Sequence, residues 1–194
     1  MMMQAQSPAE EAWSYAWDYT MGAPDTALWD YPIGTGSAIM EGDGLHFEAT
    51  GSRHAGLRIK DSAAWLGQKA IYEVEANVVW DSGNGFRIVC ASGSNGASDN
   101  HGLQVTLNEG YLNVLTGSTR PSTVTQTVPI TYGEWHKVRL ELDTPAGTNK
   151  VYLDGTLVAT VANANLSTTF VSDVWCLAQQ GGCYVRAVRY RKED

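Results

Sequence analysis

Beyond the N-terminal stretch, apolar and polar side chains alternate with a period of two, and each run stops at Gly, Asn or Asp. That is the pattern of short antiparallel strands joined by tight turns. The alternation predicts strands over residues 44–49, 54–59, 70–80, 85–91, 102–107, 111–116, 123–128, 134–142, 149–153, 156–161, 172–178 and 184–191. Asp154-Gly155, set between Val151-Tyr152-Leu153 and Thr156-Leu157-Val158, predicts a two-residue hairpin, because Asp and Gly tolerate the positive φ angles such a turn demands. Asn108-Glu109-Gly110 is a second hairpin signal. Ser7-Pro8-Ala9-Glu10 reads as a capping box with Pro at the first helical position, and predicts a helix reaching about Trp17; a frayed leader is the other reading. A series of strands with no interleaved helical pattern makes the fold class all-β: a two-sheet antiparallel β-sandwich, or jelly roll, with at most a short N-terminal helix. Residues 1–12 are assigned to the leader or helix and residues 13–194 to one sandwich domain.

Alternation also assigns faces. Over residues 72–80, Val74, Ala76, Val78 and Trp80 are expected in the core, with Glu73, Glu75 and Asn77 on the opposite, wet face. His136, Val138, Leu140 and Leu142 form one stripe of the next long strand, and Trp135, Lys137, Arg139 and Glu141 the other.

The chain has 194 residues, enough for one domain with a full core, and its 13 Lys and Arg against 21 Asp and Glu give a net charge of −8. It therefore lacks the positive footprint that phosphate backbones or anionic lipids require, so neither nucleic acid nor membrane is expected as a partner. No apolar run approaches the ~20 residues of a bilayer span, and Met1-Met2-Met3-Gln4 has neither the basic nor the apolar region of an export signal. Cys90, Cys176 and Cys183 lack the paired spacing of a zinc site. Gln179-Gln180-Gly181-Gly182 reads as a hairpin turn, across which Cys176 and Cys183 form a disulfide or stand as two buried thiols; Cys90 reads as a small core residue.

Tyr132-Gly133-Glu134-Trp135-His136-Lys137-Val138-Arg139-Leu140, followed by Val151-Tyr152-Leu153-Asp154-Gly155, resembles the corresponding stretch of the concanavalin A-like lectin/glucanase sandwiches, the laminin-G-like jelly rolls. Gly42-Asp43-Gly44-Leu45-His46-Phe47 and Tyr72-Glu73-Val74-Glu75-Ala76 are similar to early strands of that superfamily, and residues 184–190 to its closing strand. The resemblance covers about residues 13–191. It implies a fold, and it favours a glycan as the ligand class, since the superfamily holds carbohydrate-binding modules, lectins, glycoside hydrolases, polysaccharide lyases and protein-binding modules. It also implies a structural calcium ion held by oxygen ligands, for which Asp18, Asp25, Asp30, Asp43, Asp99 and Asp173 are available.

The retaining glucanases of the superfamily carry an E-x-D-x-x-E strand. Its nearest match here is Glu73-Val74-Glu75-Ala76-Asn77-Val78-Val79, in which Glu73 and Glu75 share a face but the run closes on valine where the third carboxylate belongs. A solvated pair of glutamates is the better account. Lyase chemistry needs a base beside groups that neutralise a uronate, and His101, Gln104, Arg87 and Tyr111 are the residue types for it, although the net charge opposes a polyanionic substrate. Sugar binding asks only for flat rings and hydrogen-bonding side chains. Trp17, Trp29, Trp65, Trp135 and Trp175, with Tyr15, Tyr19, Tyr31 and Tyr111, supply the rings.

Arg87 and Gln104 fall by alternation on a non-core face, with the polar loop over residues 92–100 and His101 beside them; the other reading of Arg87 is an ion pair with Glu73 or Glu75. The expected ligand-binding set is Arg87, Asp99, His101, Gln104, Tyr111, Trp175 and Gln179. The function expected is a non-catalytic carbohydrate-binding module or lectin, extracellular or secreted, recognising a poly- or oligosaccharide and attached to or acting beside catalytic modules. The alternatives are a glycoside hydrolase or lyase using Glu73, Glu75 or His101, and a laminin-G-like protein-interaction module.

Overall fold

The computed structural model describes residues 12–34, 36–60, 69–81, 86–92, 101–108, 110–117, 123–143, 145–162 and 173–193, with the side chains of residues 32–34, 50–54, 80–81, 89–92, 101–102, 117 and 173–181 outside the description. The chain starts with β1 (Tyr15–Asp18), a 3-10 turn over Tyr19–Met21, β2 (Trp29–Gly34), β3 (Ser37–Glu41), β4 (Gly44–Ile59) and β5 (Lys69–Asp81). A run of neighbours follows: β6 (Phe86–Ser92), β7 (His101–Asn108), β8 (Tyr111–Gly117) and β9 (Thr123–Pro129). The chain then forms β10 (His136–Asp143), β11 (Thr148–Leu153), β12 (Thr156–Ala162) and the long β13 (Asp173–Glu193).

Every described pairing is antiparallel, and the main path runs β12-β11-β10-β5-β13-β6-β7-β8-β9. The path is one ladder but two layers, because β13 changes partners halfway. Its residues 173–178 pair with β6, whereas 181–193 pair with β5. On its other edge, residues 175–179 pair with the second half of β4 and 181–185 with the first half, with β1 next along that edge. The first layer is therefore β3, residues 44–49 of β4, the C-terminal part of β13, β5, β10, β11 and β12. The second is β2, residues 54–59 of β4, the N-terminal part of β13, and β6 to β9.

Between the layers, Leu45, Phe47, Val74, Ala76, Val78, Val138 and Leu140 meet Leu57, Phe86, Ile88, Val105, Leu107, Leu112 and Val114, all of them buried in one apolar cluster. The face assignment of Val74, Ala76 and Val78 holds, and so does that of Val138, Leu140 and Leu142. The side chain of Trp80 lies outside the described residues. Both hairpins form. Asp154 (φ 49°) and Gly155 (φ 82°) give the two-residue turn that pairs Leu153 with Thr156, and Asn108 pairs with Tyr111 ahead of Gly110 at φ 77°.

Three expectations are corrected. Residues 15–18 form a strand, not the end of a helix: Trp13, Tyr15 and Trp17 alternate with Ser14, Ala16 and Asp18, and the free edge of β13 takes up that period-two pattern, burying Trp17. Residues 7–11 lie outside the described residues. Gln179-Gly182 is not a hairpin turn. Residues 173–193 are one strand whose register slips between Gln179 and Gly181 and between Gly182 and Cys183, so the two glycines bend the strand from one layer to the other. Cys176 and Cys183 thus stand seven positions apart on one strand rather than face to face across a hairpin, and Cys183 is buried and forms no disulfide. Likewise the two strands expected over residues 44–59 are one, β4, bending beside β13.

Leu57 is fully buried and Leu157 on β12 is half exposed. Leu57→Ala should therefore lower the unfolding free energy by about 2–5 kcal/mol, through lost transfer energy and the cavity left behind, whereas Leu157→Ala should change it by less than about 0.5 kcal/mol, both measured by urea denaturation.

Candidate functional site

The outer face of the first layer carries Glu73 and Glu75 of β5, Lys137 of β10, and Arg186 and Arg189 of β13, which the ladder sets side by side. Arg189 Nη1 donates to Glu73 Oε1 at 2.9 Å, and Arg186 Nε donates to Glu75 Oε2 at 2.5 Å. Lys137 Nζ lies 3.5 Å from both Glu73 Oε1 and Glu75 Oε1. The long cationic side chains cover the carboxylates, so Glu73 is only 6% exposed although it sits on the non-core face. The expected solvated pair of glutamates is thus corrected to a paired and covered one. The cross-strand ion pair is real, but its arginines are Arg186 and Arg189, because β13 lies between β5 and β6 and keeps Arg87 away. Burial pushes the Glu75 carboxyl up, yet the Arg186 hydrogen bond and the charges of Arg186, Lys137 and Arg189 outweigh it and hold the group below the ordinary carboxylate range. A carboxyl so held is a poor proton donor, where a retaining pair needs one member raised.

Beside this network opens a pocket of about 410 Å³ lined by Glu75, Trp135, His136, Lys137, Asp154, Gly155 and Arg186. The Asp154-Gly155 hairpin frames it. Asp154 Oδ1 accepts from the Lys137 backbone N–H at 2.8 Å, Asp154 Oδ2 lies 2.8 Å from His136 Nδ1, and the Asp154 N–H donates to the Lys137 carbonyl at 2.9 Å. His136 Nε2 is 3.1 Å from the Thr131 carbonyl. The Trp135 ring is seated by its edge against Gly44, where an added Cβ would stand 3.2 Å from Trp135 Cη2 and 3.1 Å from the Val185 carbonyl oxygen. The Arg186 guanidinium lies over the ring, 4.6 Å from its centroid. Trp135 and Asp154 are visible in the sequence as parts of fold motifs, but their meeting with Arg186 depends on the register of β13 and has no local signal.

The outer face of the second layer carries Arg87 among uncharged polar side chains over β6 to β9, with the Arg58–Asp30 ion pair on β4 and β2 beyond β13. One row across the strands aligns Arg87, Thr106, Asn113 and Thr127, and the next aligns Trp175, Val89, Gln104 and Leu115. Gln104 and Thr106 are 5% and 6% exposed, and Arg87 is half-buried, with burial pulling its guanidinium below its ordinary value. Thr127 Oγ1 donates to Asn113 Oδ1 at 2.8 Å, and Asn113 Nδ2 donates to Asn108 Oδ1 at 2.9 Å. Arg87 and Gln104 thus share a face, as expected, and the backbone of Trp175 falls in the Gln104 row. Tyr111 is exposed but starts β8, about 13 Å along that strand from the Gln104 row. His101 pairs by backbone with Ser92; the side chains of His101, Trp175 and Gln179, and the whole of Asp99, lie outside the described residues. Trp17 and Trp29, expected as candidate rings for a ligand, are core residues, and the side chain of Trp65 is outside the description.

Among the described residues, no group of three or more His, Cys, Asp or Glu is placed to hold a metal ion. Asp18 accepts from Thr20, Asp25 from Ala27 and Asp30 from Arg58, so each is occupied within the chain.

No family model and no curated protein sequence matches the chain. Solved structures do. The carbohydrate recognition domain of Emp47p superposes with a TM-score of 0.69 over 93% of this chain and 96% of its own, at 14% identity. Carbohydrate-binding module CBM66 from Bacillus subtilis superposes with a TM-score of 0.61 over 84% of this chain and 94% of its own, at 15% identity. The exoplasmic/lumenal domain of VIP36, in a Ca²⁺- and mannose-bound form, gives 0.59 over 86% and 83%, at 13% identity. The fold is the concanavalin A-like jelly roll. The sequence resemblance is thereby borne out at the level of architecture.

Glu75 contributes stability that is present above its unfolded-state value and lost as pH falls through its lower folded-state value. Glu75→Gln should therefore destabilise the protein at pH 7, and the gap between the two urea midpoints should narrow as pH drops below about 4.

Proposed function

We propose that this protein is a non-catalytic carbohydrate-binding module or lectin that recognises a poly- or oligosaccharide on the outer face of its second layer. The observation that carries the reading is the uncharged polar row Thr106, Asn113 and Thr127 beside Gln104, closed at one end by Arg87. Amides and hydroxyls both donate and accept, which matches the hydroxyls of a neutral sugar ring. The backbone register sets Trp175 in the row of Gln104, the position from which an aromatic ring would stack on a pyranose. The likeness to the Emp47p recognition domain and to CBM66 along nearly their whole lengths supports the same ligand class.

His101, Asp99, Gln179 and Tyr111 complete the proposed ligand-binding set. A calcium ion held by carboxylate and carbonyl oxygens belongs to the same reading, in keeping with the Ca²⁺- and mannose-bound form of VIP36. The reading places the protein in an extracellular or secreted setting, alone or joined to catalytic modules.

The test is a binding screen on glycan arrays and insoluble polysaccharides, with and without calcium, and with product analysis on each hit. Binding without turnover is expected, weakened about tenfold or more by Gln104→Ala and by Arg87→Met. Release of reducing ends or unsaturated products would make the protein an enzyme, and failure to bind any glycan would remove the proposal.

A further inference from the structure

The pocket at Trp135 lies on the other layer from the proposed saccharide face, and the chemistry it leaves open is different. Its carboxylates are already engaged: Glu75 by Arg186 Nε and Lys137, and Asp154 by the Lys137 backbone N–H and the His136 ring. Its donors are not. Among the described residues, Arg186 uses only Nε, so both Nη groups of a guanidinium that is one-third exposed carry no hydrogen bond. That guanidinium is fixed in orientation from two sides, by the Glu75 bond at its Nε and by the Trp135 ring beneath it. Lys137, 43% exposed at its side chain, stands on the same wall. A rigid planar fork with two free N–H edges matches a planar oxyanion, which it can grip through two parallel bonds. A neutral sugar would need acceptors as well, and here they are occupied.

We infer that the Trp135 pocket is a second ligand site, taking a sugar residue that carries a carboxylate, such as a uronic acid. Arg186 receives the carboxylate, Lys137 supports it, and Trp135 walls the ring. The volume of about 410 Å³ lies at the small end of ligand pockets, which suits a chain end or a single branch rather than a long run of polymer. The chain's net charge of −8 does not forbid it, because Lys137, Arg186 and Arg189 balance Glu73, Glu75 and Asp154 locally. That the ligand is a sugar rests on the preceding proposal; that it carries a carboxylate rests on Arg186 alone.

The experiment is a ¹⁵N-edited NMR titration of the full chain with D-galacturonate, its methyl ester, D-galactose and a hexaglutamate peptide, following the Trp135 indole N–H, assigned with Trp135→Phe. Galacturonate should shift that signal and bind at least tenfold more tightly than the ester or galactose. Arg186→Lys keeps a positive charge beside Glu75 but loses the fork, and should weaken galacturonate at least tenfold with an unchanged circular dichroism spectrum. Gln104→Ala should leave galacturonate binding intact. Equal binding of acid and ester, tighter binding of hexaglutamate, no shift at Trp135, or full binding by Arg186→Lys would each overturn the inference. Loss of galacturonate binding in Gln104→Ala alone would place the acid on the second layer, overturning this inference while leaving the proposed function standing.

Discussion

The backbone pairing of β13 is the interaction on which everything else rests. Its 21 residues serve β1, β4, β5 and β6, and it is the one strand in the path that belongs to both layers. A strand that crosses from one sheet to another must bend and keep its ladder, and Gly181-Gly182 allow both because neither carries a side chain into the corner. The slips in register there and between Val185 and Ala187 decide which residues of the C-terminal half face the core. Val188 and Tyr190 turn inward, and Arg186 and Arg189 turn outward to the carboxylates of β5.

That placement gives the two outer faces opposite characters. On the first layer, Lys137, Arg186 and Arg189 pair with Glu73 and Glu75 under cover of their own aliphatic stems, and ion pairs that keep partly exposed cations contribute modestly to stability. Their larger effect is on orientation: a guanidinium tied at Nε and laid on an indole loses little entropy when it meets a ligand. On the β8–β9 part of the second layer, Thr127, Asn113 and Asn108 bond to one another through hydroxyl and amides, which holds their rotamers in place without fixing a charge.

Much of the fold was legible in the chain. Period two set the faces of β5 and β10, and Asp154-Gly155 marked a hairpin, since both signals arise from neighbours in sequence. Gln104 and Arg87 fell on one face for the same reason. The long strands were not legible, because a slip of one residue reverses the alternation and a pair of glycines looks the same in a bend as in a turn. Nor was the Trp135 pocket: Arg186 and Glu75 are 111 residues apart, and only the register of β13 brings them together. The short β1 was hidden by a capping sequence upstream of it and by having no partner nearer than Ala187.

The order of strands has a consequence for how the chain comes to fold. β13 follows every other described strand, so while the polypeptide is being made, β4 and β5 in one layer and β6 in the other await a neighbour that has not yet emerged. Until it does, Phe47, Val74 and Ile88 have no closed sandwich to enter, and the nascent protein carries two apolar sheet faces and open strand edges, the conditions under which chains pair with the wrong partner. Because the central pairing is between distant segments, closure is a late and slow step, and the time spent before it is the interval in which mispairing competes with folding.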